Sequence, residues 1–263
     1  MKIVNQKLDE KASDVSSARG TALLELRNLT VMVCLLAAGI FFGIGSVVDV
    51  LVSKISFETE VRLFGSMSLA IEKEKNEDIY IKRAETILEK LKKNSDIPPL
   101  NYRLVMIDIK EPNAFAFPGG TIGVTRGLMN QLNDDTAIAF VLGHEIGHFH
   151  NRDHLRGFGR SVGMAIAYGI IFGGRMGDSS IGNILNLVLQ RQYSRQQEDK
   201  ADQFGVELVC RAYDNVETID KLFKILEEQD KMPKWAYMFA THPDPKSRVQ
   251  KLKQYTKKSV TTF

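Results

Sequence analysis

Thr30 to Val48 (TVMVCLLAAGIFFGIGSVV) is a run of 19 residues without a charge, and it restricts the fold more than any other feature. As a helix rising 1.5 Å per residue, such a run just crosses a hydrocarbon core of roughly 30 Å. A buried core helix is the other reading. However, the run has no polar face and lies near the N-terminus behind a polar stretch, so a membrane anchor is expected. The polar stretch is long for a signal peptide, and no small-x-small cleavage site directly follows the run. Arg19 and Arg27 precede it and Lys54 and Arg62 follow it, so positive charge barely distinguishes the two orientations. Four regions are expected: a polar N-terminal segment (1–28), the anchor (29–52), a helical lead-in (53–98) and a larger domain (99–263).

Behind the anchor the apolar period is helical. Ile81, Ala84, Ile87, Leu88 and Leu91 recur at helical spacing, with Glu and Lys between them, and Ser95-Asp96-Ile97-Pro98-Pro99 ends the helix. The period then changes to two. Tyr102–Ile109 alternates as a strand, and Asn113–Phe117 and Thr121–Thr125 are extended pieces around the turn Pro118-Gly119-Gly120. Asn133-Asp134-Asp135 offers caps for a helix from about Thr136 to His150, and the remaining chain reads as mostly helical. The fold class is α+β: a mostly helical domain with a small sheet, preceded by one transmembrane helix.

Four of the five histidines fall between His144 and His154, and the fifth is His242. Such clustering points to one chemical centre. The two cysteines, Cys34 and Cys210, are too few for a disulfide framework or a cysteine-based zinc site. With 35 basic and 32 acidic side chains the charge is nearly balanced, so no nucleic-acid partner is expected.

His144-Glu145-Ile146-Gly147-His148 puts two imidazoles four residues apart, on one face of a helix, where both can reach one ion. Zinc suits neutral imidazole nitrogen and keeps an open position when three protein groups hold it. Glu145 projects beside the ion and can act as general base toward a water activated there. Glu198 is the best candidate for the third ligand, in the polar stretch that opens a later helix. Asp202, one turn on, can accept the free N–H of a ligating histidine. His150 and His154 read as surface residues at the helix end, and Arg152 and Asp153 as anchors of that end through charge pairs.

Three spaced motifs carry a resemblance. They are His144-Glu145-x-x-His148-x-x-x-Arg152-Asp153, then Ser194-Arg195-x-x-Glu198-x-x-Ala201-Asp202, then His242-Pro243-x-x-x-x-Arg248. Together with Asn113-Ala114-Phe115-Ala116-Phe117-Pro118-Gly119-Gly120, they resemble the M48 peptidases over about Phe57 to Leu252. The resemblance implies a gluzincin-type metalloprotease domain with one zinc ion, Glu198 as third ligand, and His242 and Arg248 flanking the active site. Both are suitable donors to the oxyanion that forms when an amide is attacked. It also implies polypeptide substrates among membrane or envelope proteins, with the lipid bilayer as a further partner through the N-terminal helix. The implied location is the bacterial inner membrane with the catalytic domain in the periplasm. A protein that keeps the zinc fold but acts by holding clients is the competing reading. Asn113–Thr125 is the expected sheet edge for substrate, by strand addition. Some members of the family carry membrane spans between the zinc helix and the third ligand. Here Val162–Phe172 (VGMAIAYGIIF) is too short to span, so a buried or membrane-surface helix is expected, half of a hairpin with Ile181–Leu189.

Overall fold

The computed structural model describes residues 12–72, 79–93, 96–132, 134–172 and 193–213. The chain forms two compact units, one ending at Val47 and one beginning at Val48. Helix α1 (Ala12–Lys54) supplies all the described residues of the first. Most of the apolar side chains described in that unit are exposed: Leu35 is 68% and Phe42 69% exposed. Among the described residues one helical stretch, Ala22–Lys54, is long and apolar enough to cross a membrane.

The second unit is built around one buried helix, α5 (Asp135–His150), in which every residue from Thr136 through Phe149 is buried. Asp134 caps it: its backbone is extended, and its carboxylate accepts the Thr136 N–H at 2.8 Å. A helix apolar on all sides needs partners on all sides. They come from α3 (Ile79–Lys93), a three-stranded sheet, α6 (Asp153–Phe172) and α7 (Arg195–Tyr213), while α2 (Phe57–Glu72) adds Phe57 and Val61 at the margin of the same core. Helix α3 buries Ile81, Ala84, Ile87, Leu88 and Leu91 as one stripe, and its Arg83 pairs with Asp135 in the first turn of α5 at 2.6 Å. Its last turn carries Lys90, Lys92 and Lys93, which suits the negative end of the helix dipole.

The sheet consists of β1 (Arg103–Ile107), β2 (Ala114–Phe117) and β3 (Thr121–Thr125), in the order β1-β3-β2. β1 runs parallel to β3, with Arg103 opposite Thr121, and β2 runs antiparallel to β3, with Phe117 opposite Thr121. β3 is therefore interior, and of the two hairpin arms β2 borders the sheet. The turn between them needs φ of +90° at Gly119 and +93° at Gly120, a region that side chains disfavour. Thr125 closes β3 and caps the short helix α4 (Arg126–Met129) by accepting the Leu128 N–H.

The apolar stripe Ile81–Leu91, the strands and the zinc-motif helix fall where the sequence places them. One expectation differs: His154 is not on the surface but fully buried in the first turn of α6. Of the two readings of Val162–Phe172, the buried one fails, since no residue from Ser161 to Ile171 reaches that state. Ile181–Leu189, His242 and Arg248 lie outside the described residues.

Candidate metal centre

The site exists because two helices touch at their backbones. Gly143 and Gly147 lie four apart on α5, facing Ala201 and Gly205, four apart on α7. A Cβ on Gly147 would stand 2.8 Å from the Ala201 Cα, and one on Gly143 would stand 3.0 Å from the Gly205 Cα. The missing side chains let α7 approach until residues on its first two turns reach the histidines of α5. Glu198 and Asp202, one turn apart on α7, then point at His144 and His148, one turn apart on α5.

His144, His148 and Glu198 are all buried, and one potential ligand atom from each lies within 4.8 Å of the others. The two Nε2 atoms are 3.1 Å apart. The Glu198 carboxylate oxygens lie 3.5 Å from Nε2 of His144 and 3.8 Å from Nε2 of His148. The outer nitrogen of each ring is held by a carboxylate. Nδ1 of His144 is 2.9 Å from Asp202, and Nδ1 of His148 is 3.3 Å from Asp153. An Nδ1–H that donates outward fixes the tautomer and leaves an Nε2 lone pair facing the centre. Tyr193 stacks on the His148 ring at 3.8 Å, fixing its plane from the other side. Asp153 is itself tied to α7, where Gln197 donates to its second oxygen at 2.7 Å.

These residues fit a cation. Two imidazole lone pairs and a buried carboxylate aimed at one point repel each other unless positive charge sits between them. The His144 environment expresses the same demand. Burial opposes its protonation, yet Asp202, Glu198 and Glu145 together outweigh that and raise its pKa. Burial also pushes Asp153 up to about 6, against the lowering effects of Gln197 and Arg156. A two-His, one-Glu donor set is the kind that holds catalytic zinc with a position left open. Glu145, 1% exposed, lies next to His144 on α5 and close enough to act on it electrostatically.

A second buried cluster adjoins the first. Glu60 on α2 is fully buried and accepts from three directions: Gly119 N–H at 2.9 Å, His154 at 2.7 Å and Arg152 at 2.6 Å. Arg152 also donates to the Ile55 carbonyl at 2.5 Å, and its own backbone takes the left-handed φ of +61° between α5 and α6. Nδ1 of His154 lies 3.2 Å from the His148 carbonyl. Burial alone would raise the Glu60 pKa, but His154, Gly119 and Arg152 lower it. Burial and the nearby Glu60 charge raise that of Tyr102.

The structure thus brings together His144, Glu145, His148, Glu198 and Asp202. Sequence reasoning missed Tyr193, Glu60 and the contact of Asp153 with His148. A stacking tyrosine and a distant buried glutamate leave no periodic trace. Asp153 follows His148 by five residues, and only the break at Asn151-Arg152 turns that spacing inward.

Comparison with known proteins agrees with this geometry. The sequence profile of peptidase family M48 matches residues 81–256. Metalloprotease LoiP of Escherichia coli (strain K12) is 29% identical over 183 residues, which cover 66% of this chain and 69% of LoiP. Metalloprotease YcaL of the same organism is 29% identical over 179 residues, with coverage of 66% and 69%. The mitochondrial metalloendopeptidase OMA1 of Danio rerio is 30% identical over 180 residues, covering 61% of this chain but 37% of that protein. The match spans well over half of the chain and includes both the imidazole pair and the carboxylate that face one another across α5 and α7: this protein is a metalloendopeptidase of family M48.

Proposed function

We propose that the chain is a zinc endopeptidase anchored in a membrane by α1 and cutting membrane-proximal or misfolded proteins. The convergence of His144, His148 and Glu198 with Glu145 alongside carries the reading. Zinc, held by those three residues, would polarise the scissile carbonyl and acidify a water when bound. Glu145 takes the proton from that water and delivers it to the departing amine nitrogen. Asp202 and Asp153 keep the two rings in one tautomer and orientation throughout, and Tyr193 restrains the second ring. His242 and Arg248 are assigned to stabilising the oxyanion, on the strength of the family motif alone. With β3 interior, β2 is the arm along which a peptide strand would align.

The relatives' names speak of proteolysis, and none describes a holding role. The proposed bacterial inner-membrane location, with the catalytic unit in the periplasm, rests on the anchor and on the family resemblance alone. Glu145→Gln tests the chemistry. It should leave one zinc per chain in place while cleavage of an unfolded protein falls by about 10²–10⁴-fold. Full cleavage by that variant would sink the assignment, and biological activity that survives without cleavage would favour the holding role. Protease accessibility of the catalytic unit in sealed cells tests the orientation.

A further inference from the structure

Helix α6 starts inside the protein and then leaves it. Asp153, His154 and Leu155 are buried. The next two turns lie against the last turns of α1 that belong to the same unit. Arg156 and Arg160 both reach Asp49, at 3.5 Å and 2.9 Å, and a Cβ on Gly159 would meet Val48 at 2.9 Å. Because Arg152 holds Ile55 while Arg160 holds Asp49, the two segments run in opposite directions. Beyond Arg160 no residue through Ile171 is buried. Ile166 is 44%, Tyr168 62% and Ile170 79% exposed, with Met164 and Ile171 also open.

At 100° per residue these side chains do not form one stripe. Met164, Tyr168 and Ile171 share one face, while Ile166 and Ile170 lie on the other. No charge occurs from Ser161 through Phe172. A helix apolar all round belongs in a core or in lipid, and water is the one surrounding it does not suit. Charge marks which applies. The uncharged run of α1 ends at Val48 and that of α6 begins at Ser161, with the Asp49–Arg160 ion pair between those ends. Both uncharged runs thus start from one ion pair.

We infer that Ser161–Phe172 is a second membrane contact, inserted among lipid acyl chains on the side of the bilayer where the catalytic unit sits. The inference rests on the reading of α1 as a membrane anchor. Twelve residues extend about 18 Å, little more than half of a core of roughly 30 Å, so the helix enters the bilayer without crossing it.

The test uses the full chain in phosphatidylcholine vesicles, with an environment-sensitive fluorophore on one thiol at a time. Cys210→Ala leaves Cys34, in α1, as the reporter of the anchor. Cys34→Ala/Cys210→Ala/Ile170→Cys reports α6, and Thr86→Cys in the same background reports exposed α3. Each variant is first checked for bound zinc. The labels at 34 and 170 should shift to the blue, lose intensity to a lipid-borne quencher and resist iodide, while that at 86 does the reverse. Iodide access at 170 with lipid contact at 34 overturns the inference and keeps the anchor. Shielding at 170 from both quenchers also overturns it, because a second copy or a client peptide then covers the helix. Iodide access at both 34 and 170 overturns the anchor and the inference together.

Discussion

Gly147→Ala probes the backbone contact that creates the site. The added methyl would stand 2.8 Å from the Ala201 Cα and 2.9 Å from its carbonyl oxygen, where ordinary contacts begin at 3.4 Å. Backbone lies on both sides, so no side chain can swing away; α7 must retreat by about 0.6 Å. Glu198 lies one turn before Ala201 and withdraws with it. Metal–ligand distances tolerate errors of about 0.2 Å, and catalytic constellations about 0.5 Å. The retreat therefore exceeds both, and zinc affinity should fall by about 10–100-fold, as when a ligand loses its supporting partner. Stability responds less. Alanine favours a helix over glycine by about 0.8–1 kcal/mol, whereas overpacking costs about 1–3 kcal/mol, so a net loss on the order of 1 kcal/mol is expected. Gly143→Ala, at 3.0 Å from Gly205, should show the same effects more weakly. Competition for zinc with a chromophoric chelator measures the affinity, and melts with and without metal measure the stability. Wild-type zinc affinity in Gly147→Ala would refute the claim that helix proximity sets the ligand geometry.

Asp202→Asn should weaken zinc binding by about 10-fold, since the amide oxygen still accepts the Nδ1–H but lacks its charge; Asp153→Asn, across a longer 3.3 Å contact, should weaken it less. The same chelator competition ranks the two, and equal affinities in both variants and the wild type would argue against their role. Removing metal with a chelator should lower the melting temperature, because a ligand present at about a thousand times its Kd contributes about 4 kcal/mol. An unchanged melt would mean that no ion is held. Glu60→Gln leaves Arg152, which is 12% exposed, without its carboxylate and should cost about 3–5 kcal/mol in denaturant unfolding. The Glu60 carboxyl has its pKa lowered below 4.5 in the folded chain, so the unfolded chain binds the extra proton first. Its contribution is then fully present above about pH 4.5 and lost as pH falls through the folded value. Glu60→Gln should flatten that acid limb, and an identical acid limb in the variant would contradict the assignment.

Much of this architecture is legible without coordinates, for physical reasons. Ile81 to Leu91 and Asp134-Asp135 declare helices because burial and capping each act over a few neighbouring residues. The motif pair four residues apart needs only the helical period to become a site. Long-range contacts leave weaker marks. Glu60 lies in an ordinary amphipathic helix, and nothing nearby in sequence announces that Gly119, Arg152 and His154 surround it. His154 reads as a surface residue because it follows a helix end, yet the corner at Arg152 turns it inward. Nothing near Gly147 or Gly205 in sequence announces that each faces the backbone of the other helix.

The link between α1 and α2 is only Ile55 and Ser56, and Arg152 clamps both sides of it, at the Ile55 carbonyl and at Glu60. Glu60 in turn holds the Gly119 N–H and the ring of His154, whose other nitrogen faces the His148 carbonyl. One carboxylate on α2 therefore ties the strand turn to the corner that follows the zinc-motif helix. Losing it would loosen both places at once, so damage far from the imidazoles in sequence would still be felt at them.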